Sequence, residues 1–172
     1  DINADGPTIA VDGSGNAVAI WAEYAGEYAG TNYNYSFHAN DYTAGSGWGT
    51  ATNIGIVTGE VTGDKIAMDR DGNAIAVWSQ SDGTTYNIYV NNYDPAAGWG
   101  TAKTLENEPY DAFSPGIAFD KLGNAIAAWN QSDGKAISVW AKQYTYGVWE
   151  RGKTNIENSN NDCYGGFIAA NE

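Results

Sequence analysis

Apolar and polar residues follow one another along this chain in short runs, and the runs recur. Ile9 to Trp21 reads IAVDGSGNAVAIW, Ile66 to Trp78 reads IAMDRDGNAIAVW, and Ile117 to Trp129 reads IAFDKLGNAIAAW. Each copy is an apolar run, a polar Asp-x-x-Gly-Asn pentad and a second apolar run that ends in Trp. This pattern predicts a β-hairpin. Gly15, Gly72 and Gly123 supply the positive φ of a tight turn. The carboxylates of Asp12, Asp69 and Asp120 accept backbone N–H groups across it, and Asn16, Asn73 and Asn124 open the return strand. First strands are expected over 7–12, 65–69 and 115–120, and second strands over 16–23, 73–80 and 124–131. In the second strand Ala17, Ala19 and Trp21 point one way and Val18 and Ile20 the other. Both faces are apolar, so this strand is expected to be covered on both sides.

A polar loop follows (81–83, 132–134), then a third strand that runs into Tyr42, Tyr93 and Tyr144. A glycine-flanked Trp comes next at Trp48 and Trp99 and, one residue early, at Trp149. A short fourth strand is expected near Ile54, Leu105 and Ile156. The landmark tyrosines are 51 residues apart, as are Ile66 and Ile117. Ile9 and Ile66 are 57 apart, the six extra residues falling around AGEYAGTN in the first repeat. The whole chain, 1–172, therefore reads as one repeat region: blade 1 over 7–63, blade 2 over 64–114, blade 3 over 115–165, and the first strand of a fourth over 166–172. Four antiparallel strands per repeat of about fifty residues predict an all-β fold of tandem β-propeller blades. A β-sandwich is the alternative, but sandwich strands rarely recur at so fixed a period.

Composition narrows the function. Eight Lys and Arg against 21 Asp and Glu give a net charge of −13, which excludes nucleic acid and anionic lipid as ready partners. Residues 1–64 contain no Lys or Arg, so the insertion around 22–32 is a candidate contact for cations or a basic partner. One Cys, Cys163, and one His, His38, exclude an internal disulfide, a cysteine zinc site and a multi-histidine metal site. No apolar run is long enough to span a membrane. No cofactor is implied. Asp69-Arg70-Asp71 suggests calcium, but Ser14 and Leu122 replace Asp71 in the sister turns and the calcium-loop pattern is absent. A Gly-, Asn- and aromatic-rich chain of this kind reads as extracellular or cell-surface.

The repeated I-A-x-D-x-x-G-N-A-x-A-x-W pattern resembles tandem repeats of bacterial secreted and surface proteins predicted to be β-propellers. It is distantly similar to the Asp-box of sialidase-like propellers, and the resemblance spans essentially the whole chain. It implies that Asp12, Gly15, Asn16, Trp21 and their counterparts Asp69, Gly72, Asn73, Trp78, Asp120, Gly123, Asn124 and Trp129 are structural. The Asp-box Ser/Thr is replaced by Ala10, Ala67 and Ala118. The arginine triad of sialidase activity is missing, since only Arg70 and Arg151 are present.

Candidate ligand contacts lie elsewhere. On strand three, His38, Tyr89 and Trp140 align as rings between short polar residues, the arrangement by which aromatic faces stack on sugar C–H surfaces while amides meet hydroxyls. Trp48, Trp99 and Trp149 sit in glycine-rich turns, where rings can be exposed. Tyr89, Trp140, Trp48, Trp99 and Trp149 are thus the ligand candidates, and no catalytic residue stands out. Three blades leave two blade faces open, which calls for the remaining blades of a larger propeller, of roughly six to eight, or for other copies of the chain. The expected function is a non-catalytic extracellular module for surface attachment or for glycan or protein binding. The alternatives are a filament or surface-assembly subunit built by blade or strand exchange, the latter through 166–172, and part of a glycan-processing propeller enzyme.

Overall fold

The structure, a computed structural model, describes residues 4–28, 32–56, 59–157, 159–165 and 168. The fold is all-β: tandem antiparallel blades, three among the described residues. Blade 1 consists of β1 (Ala4–Val11), β2 (Ala17–Tyr28), β3 (Asn32–Thr43), β4 (Gly47–Trp48) and β5 (Thr52–Asn53). Blade 2 consists of β6 (Val61–Met68), β7 (Ala74–Ser81), β8 (Tyr86–Asp94), β9 (Gly98–Trp99) and β10 (Lys103–Thr104). Blade 3 consists of β11 (Ala112–Phe119), β12 (Ala125–Ser132), β13 (Ile137–Thr145), β14 (Val148–Trp149) and β15 (Thr154–Asn155). In each blade three long strands pair in order, and the two short pieces share the outer edge of the third.

The Asp-x-x-Gly-Asn turn is built the same way three times. Asp12 Oδ1 accepts the N–H groups of Ser14 and Asn16 at 2.8 Å, and its Oδ2 accepts Asn16 Nδ2 at 2.7 Å. Asp69 and Asp120 repeat the set at 2.8–3.0 Å. The glycine that lets the chain reverse has φ of 84°, 87° and 78° in the three turns.

Two elements differ from expectation. The first strands begin three or four residues earlier than expected, at Ala4, Val61 and Ala112, so β6 and β11 straddle residues 63/64 and 114/115. Gly-Pro and Ser-Pro read as turn punctuation in sequence. Here a single left-handed residue, Gly6 (φ 60°), Gly63 (φ 61°) or Ser114 (φ 53°), makes a bulge, and pairing resumes beyond it. The fourth strand is split. Gly49, Gly100 and Glu150 still donate to the third strand, the chain bulges away, and Ile54, Leu105 and Ile156 return to it at 2.7–3.0 Å. The insertion of blade 1 lengthens β2 and β3 into a longer hairpin, with 29–31 outside the described residues. The expected fourth-blade strand, 166–172, also lies outside them apart from Ile168.

Blades pack by joining unlike faces. Val18, Ile20, Phe37 and Ala39 of blade 1 meet Ala76, Trp78 and Tyr89 of blade 2. Ile75, Val77, Ile88 and Val90 of blade 2 meet Ala125, Ala127 and Trp129 of blade 3. The alanine positions leave room for the branched side chains opposite, so β7 is buried on both faces. The innermost strands β1, β6 and β11 lie side by side.

Titration follows from this packing. Amide and backbone N–H donation from Asn124, with Leu122, holds Asp120 below its ordinary value of 3.8. The Thr84 hydroxyl and the N–H groups of Thr85 and Thr84 do the same for Asp82. Their stabilisation is present above the unfolded carboxylate value and is lost as pH falls below about 4. Burial, then the bond to Glu60, pushes Tyr86 up to about 12, with a lesser contribution from Asp111. The neutral phenol therefore stabilises the fold below about pH 10, and that contribution disappears as pH rises toward 12. The melting temperature is expected to be flat near neutrality and to fall on both sides. Tyr86→Phe is expected to lessen the alkaline loss, and an unchanged alkaline limb in circular-dichroism melts would count against this assignment.

Candidate ligand-binding grooves at the blade junctions

At the turn end of the blades a groove of about 510 Å³ runs between blades 2 and 3. Trp99, Tyr93, Phe119 and Tyr144 give it aromatic surface, and Asn73, Asn92, Asp71 and Asp94 give it polar groups. The junction of blades 1 and 2 carries a smaller counterpart of about 280 Å³ with Tyr42, Tyr93, Asp12, Asp41 and Asp71. The repeat explains both. The landmark Tyr ends the third strand beside the turn of the same hairpin, and the glycine-flanked Trp folds back onto it.

Tyr93 and Trp99 have ring centroids 5.4 Å apart, Tyr144 and Trp149 5.1 Å, and Tyr42 and Trp48 5.4 Å. Asn92 Nδ2 donates to Tyr144 Oη at 3.0 Å across the junction. Asn92 Oδ1 and Trp99 Nε1 are shielded from solvent with no protein hydrogen-bond partner. Two polar atoms left unpaired in one groove are unusual in a folded chain. Burial, then the charges of Asp41 and Asp94, raises Tyr93 above its ordinary 10.0, so its hydroxyl stays a donor at neutral pH.

The structure separates the candidates that the sequence grouped together. Trp99 lines the larger groove, Trp149 is half-buried on Tyr144, and Trp48 is 53% exposed on blade 1. Tyr89 is buried and stacked on Trp78 at 5.9 Å. Trp140 is half-buried, donates to the Gln131 carbonyl at 3.1 Å and carries Lys153 Nζ 4.2 Å from its ring centroid. His38 stacks on Trp21 at 5.8 Å and meets Ser36 Oγ at 2.8 Å. These three rings sit opposite Trp78, Trp129 and Trp21 in the strand register, which makes them packing positions. Cys163 is a free, half-buried thiol 3.5 Å from Glu157 Oε2.

Two further features were not legible in the sequence. The ends of β1, β6 and β11 enclose a cavity of about 490 Å³ at the blade axis, with Val11, Met68 and Phe119 beside Asp12, Asp69 and Asp120. Those carboxylates are engaged by their own turns. Among the described residues no group of three His, Cys, Asp or Glu is placed to hold a metal ion. A polar cleft of similar volume lies at the outer edge, between Glu106 and Glu108 of blade 2 and Lys142, Arg151 and Lys153 of blade 3. Burial pushes both lysines below their ordinary value, against the opposing pull of Glu106 and, respectively, Glu150 and Glu108. No described segment is a helix long and apolar enough to cross a membrane.

No family model matches the chain, and no curated protein matches it. Among solved structures it is similar to a protein described as a complex of BT0996 and RGII, with 12% identity and a TM-score of 0.46, over 88% of the present chain. The match spans 56% of the length of that other protein.

Proposed function

We propose that the chain is a non-catalytic, extracellular β-propeller repeat module that attaches to surfaces by binding uncharged glycans in its inter-blade grooves. The observation that carries this reading is the larger groove. Trp99, Tyr93 and Tyr144 offer aromatic surface for sugar C–H faces, beside Asn92, Asn73, Asp71 and Asp94 for hydroxyls. Such a mixture of apolar surface and a few polar groups is what small-ligand sites use. The net charge of −13 favours neutral over anionic saccharides. Repetition of the groove at the other junction adds avidity for chains that reach both.

A glycan array followed by calorimetry tests this reading. Neutral oligosaccharides are expected to bind, and both Trp99→Ala and Asn92→Ala are expected to weaken binding at least about tenfold while the melt stays cooperative. Tyr89→Phe, at a packed ring, leaves affinity unchanged. Absence of binding across the array, undiminished binding by Trp99→Ala, or turnover of a polysaccharide by the chain would each overturn the proposal.

A further inference from the structure

The two internal junctions are the same interface used twice, and the outer blades display its two unmatched halves. On the branched-residue face, Val18 and Ile75 are 1% exposed where blades 2 and 3 cover them, whereas the equivalent Ile126 is 44% exposed. Ile54 and Leu105 are 3% exposed, but Ile156 is 57%. On the tryptophan face, Ile117 is 7% exposed and Ile66 half-buried, whereas Ile9 is 56% and Trp48 53% exposed.

The polar contacts are periodic as well. Asn91 Nδ2 donates back across the first junction to the Ile54 carbonyl at 2.8 Å, and Lys142 Nζ donates across the second to the Leu105 carbonyl at 2.8 Å. Their equivalent on blade 1 is Asn40, and the equivalent acceptor on blade 3 is the Ile156 carbonyl. Asn91 also donates within its own blade to the Gly100 carbonyl at 3.1 Å. Asn40 repeats that half of the pattern, to the Gly49 carbonyl at 3.3 Å. Asn92 donates to Tyr144 across the second junction. The corresponding pair on the open faces is Gln143 of blade 3 and Tyr42 of blade 1.

We infer that the chain associates head to tail with further copies of itself, the Ile126, Val139, Ala141 and Ile156 face of blade 3 seating on the Ile9, Trp21, Tyr42 and Trp48 face of blade 1 of the next copy. The partner is a second copy because the surfaces are the two halves of an interface the chain already forms twice. The contact is heterologous, so it closes into a ring or propagates according to the rotation between blades. One position makes this junction weaker than the internal ones. Gln80 donates to the Ile56 carbonyl at 3.1 Å, and Gln131 donates to Glu106 at 2.7 Å. Blade 1 has Glu23 in their place, and Glu157 takes the place of Glu106 on the opposing face. Two carboxylates therefore meet between copies, and assembly is concentration-dependent.

Light scattering and sedimentation of the full chain across a wide concentration range test this. The mass is expected to rise with concentration. Glu23→Gln restores the residue of the internal junctions and is expected to lower the half-association concentration by about tenfold. Ile9→Asp and Ile126→Asp, both at exposed sites, each give a monomer. Mixed together they form a dimer and stop there, since each retains the face the other has lost. A chain that stays monomeric at every concentration, a Glu23→Gln variant with unchanged mass, or Asp variants that fail to complement would overturn the inference.

Discussion

Trp78→Ala is expected to destabilise the chain by about 4 kcal/mol, near the upper range for a large-to-small change in a packed core. Trp78 is fully buried between blades. Its ring lies 4.6 Å from Phe37 of blade 1 and 5.9 Å from Tyr89 of its own blade, and its Nε1 donates to Gln80 Oε1 at 2.9 Å. Alanine removes the ring contacts, opens a cavity that two rigid sheets cannot collapse, and takes the indole donor from a buried amide. The same substitution at Trp21, the matching residue of the same motif, is expected to cost only about 1 kcal/mol. Trp21 faces outward on blade 1 with His38 as its stacked neighbour and no blade beyond it. Urea unfolding at low protein concentration, with m unchanged, separates the two. Equal costs at Trp21 and Trp78 would mean that blade 2 does not lie between two neighbours.

That contrast shows what a repeat reveals and what it hides. The Asp-x-x-Gly-Asn hairpin was legible because its chemistry is local: a carboxylate, three N–H groups and one left-handed glycine within five residues. Blade architecture followed from the period, and the two-sided packing of β7 from its apolar residues on both faces. The starts of β1, β6 and β11 were not legible, because a one-residue bulge at Gly6, Gly63 or Ser114 carries the same letters as a turn. The groove was half legible. Trp99 stood out as a glycine-flanked ring, but Tyr144, Phe119 and Leu122 reach it from the next blade, and no spacing rule announces a contact made across blades. Tyr89 looked equivalent to a surface ring because alignment shows which residues share a face, not what covers that face. The shared motif hides differences of position: Ile9, Ile66 and Ile117 are the same letter in the same motif, and the neighbouring blade decides which of them is buried.

Glu106→Ala is expected to cost about 3 kcal/mol, since it strips a buried carboxylate from a network whose other members stay behind. Glu106 is 6% exposed; its Oε1 accepts the Ile88 N–H at 3.2 Å, and its Oε2 accepts Gln131 Nε2 at 2.7 Å and the Glu108 N–H at 2.9 Å. Gln131 in turn takes Trp129 Nε1 and Lys153 Nζ on its Oε1, so one carboxylate ties the edge of blade 2 to the centre of blade 3. Glu106→Gln is expected to fall between wild type and Ala, because the new amide must direct its NH2 at one of the donors the carboxylate received. A double-mutant cycle with Gln131→Ala is expected to give a coupling on the order of 2 kcal/mol, and simple additivity would show that the two side chains do not act together. The sister junction solves the same problem with bulk. Gly55 stands where Glu106 stands, and a Cβ there would come within 2.7 Å of Phe37 Cβ. Phe37 is itself the larger counterpart of Ile88, so the ring takes the volume that the carboxylate occupies one blade later. Gln80 then turns to the Ile56 carbonyl. Each junction is thus a matched set, Phe37 with Gly55 or Ile88 with Glu106, and exchanging one member alone is expected to cost more than exchanging both.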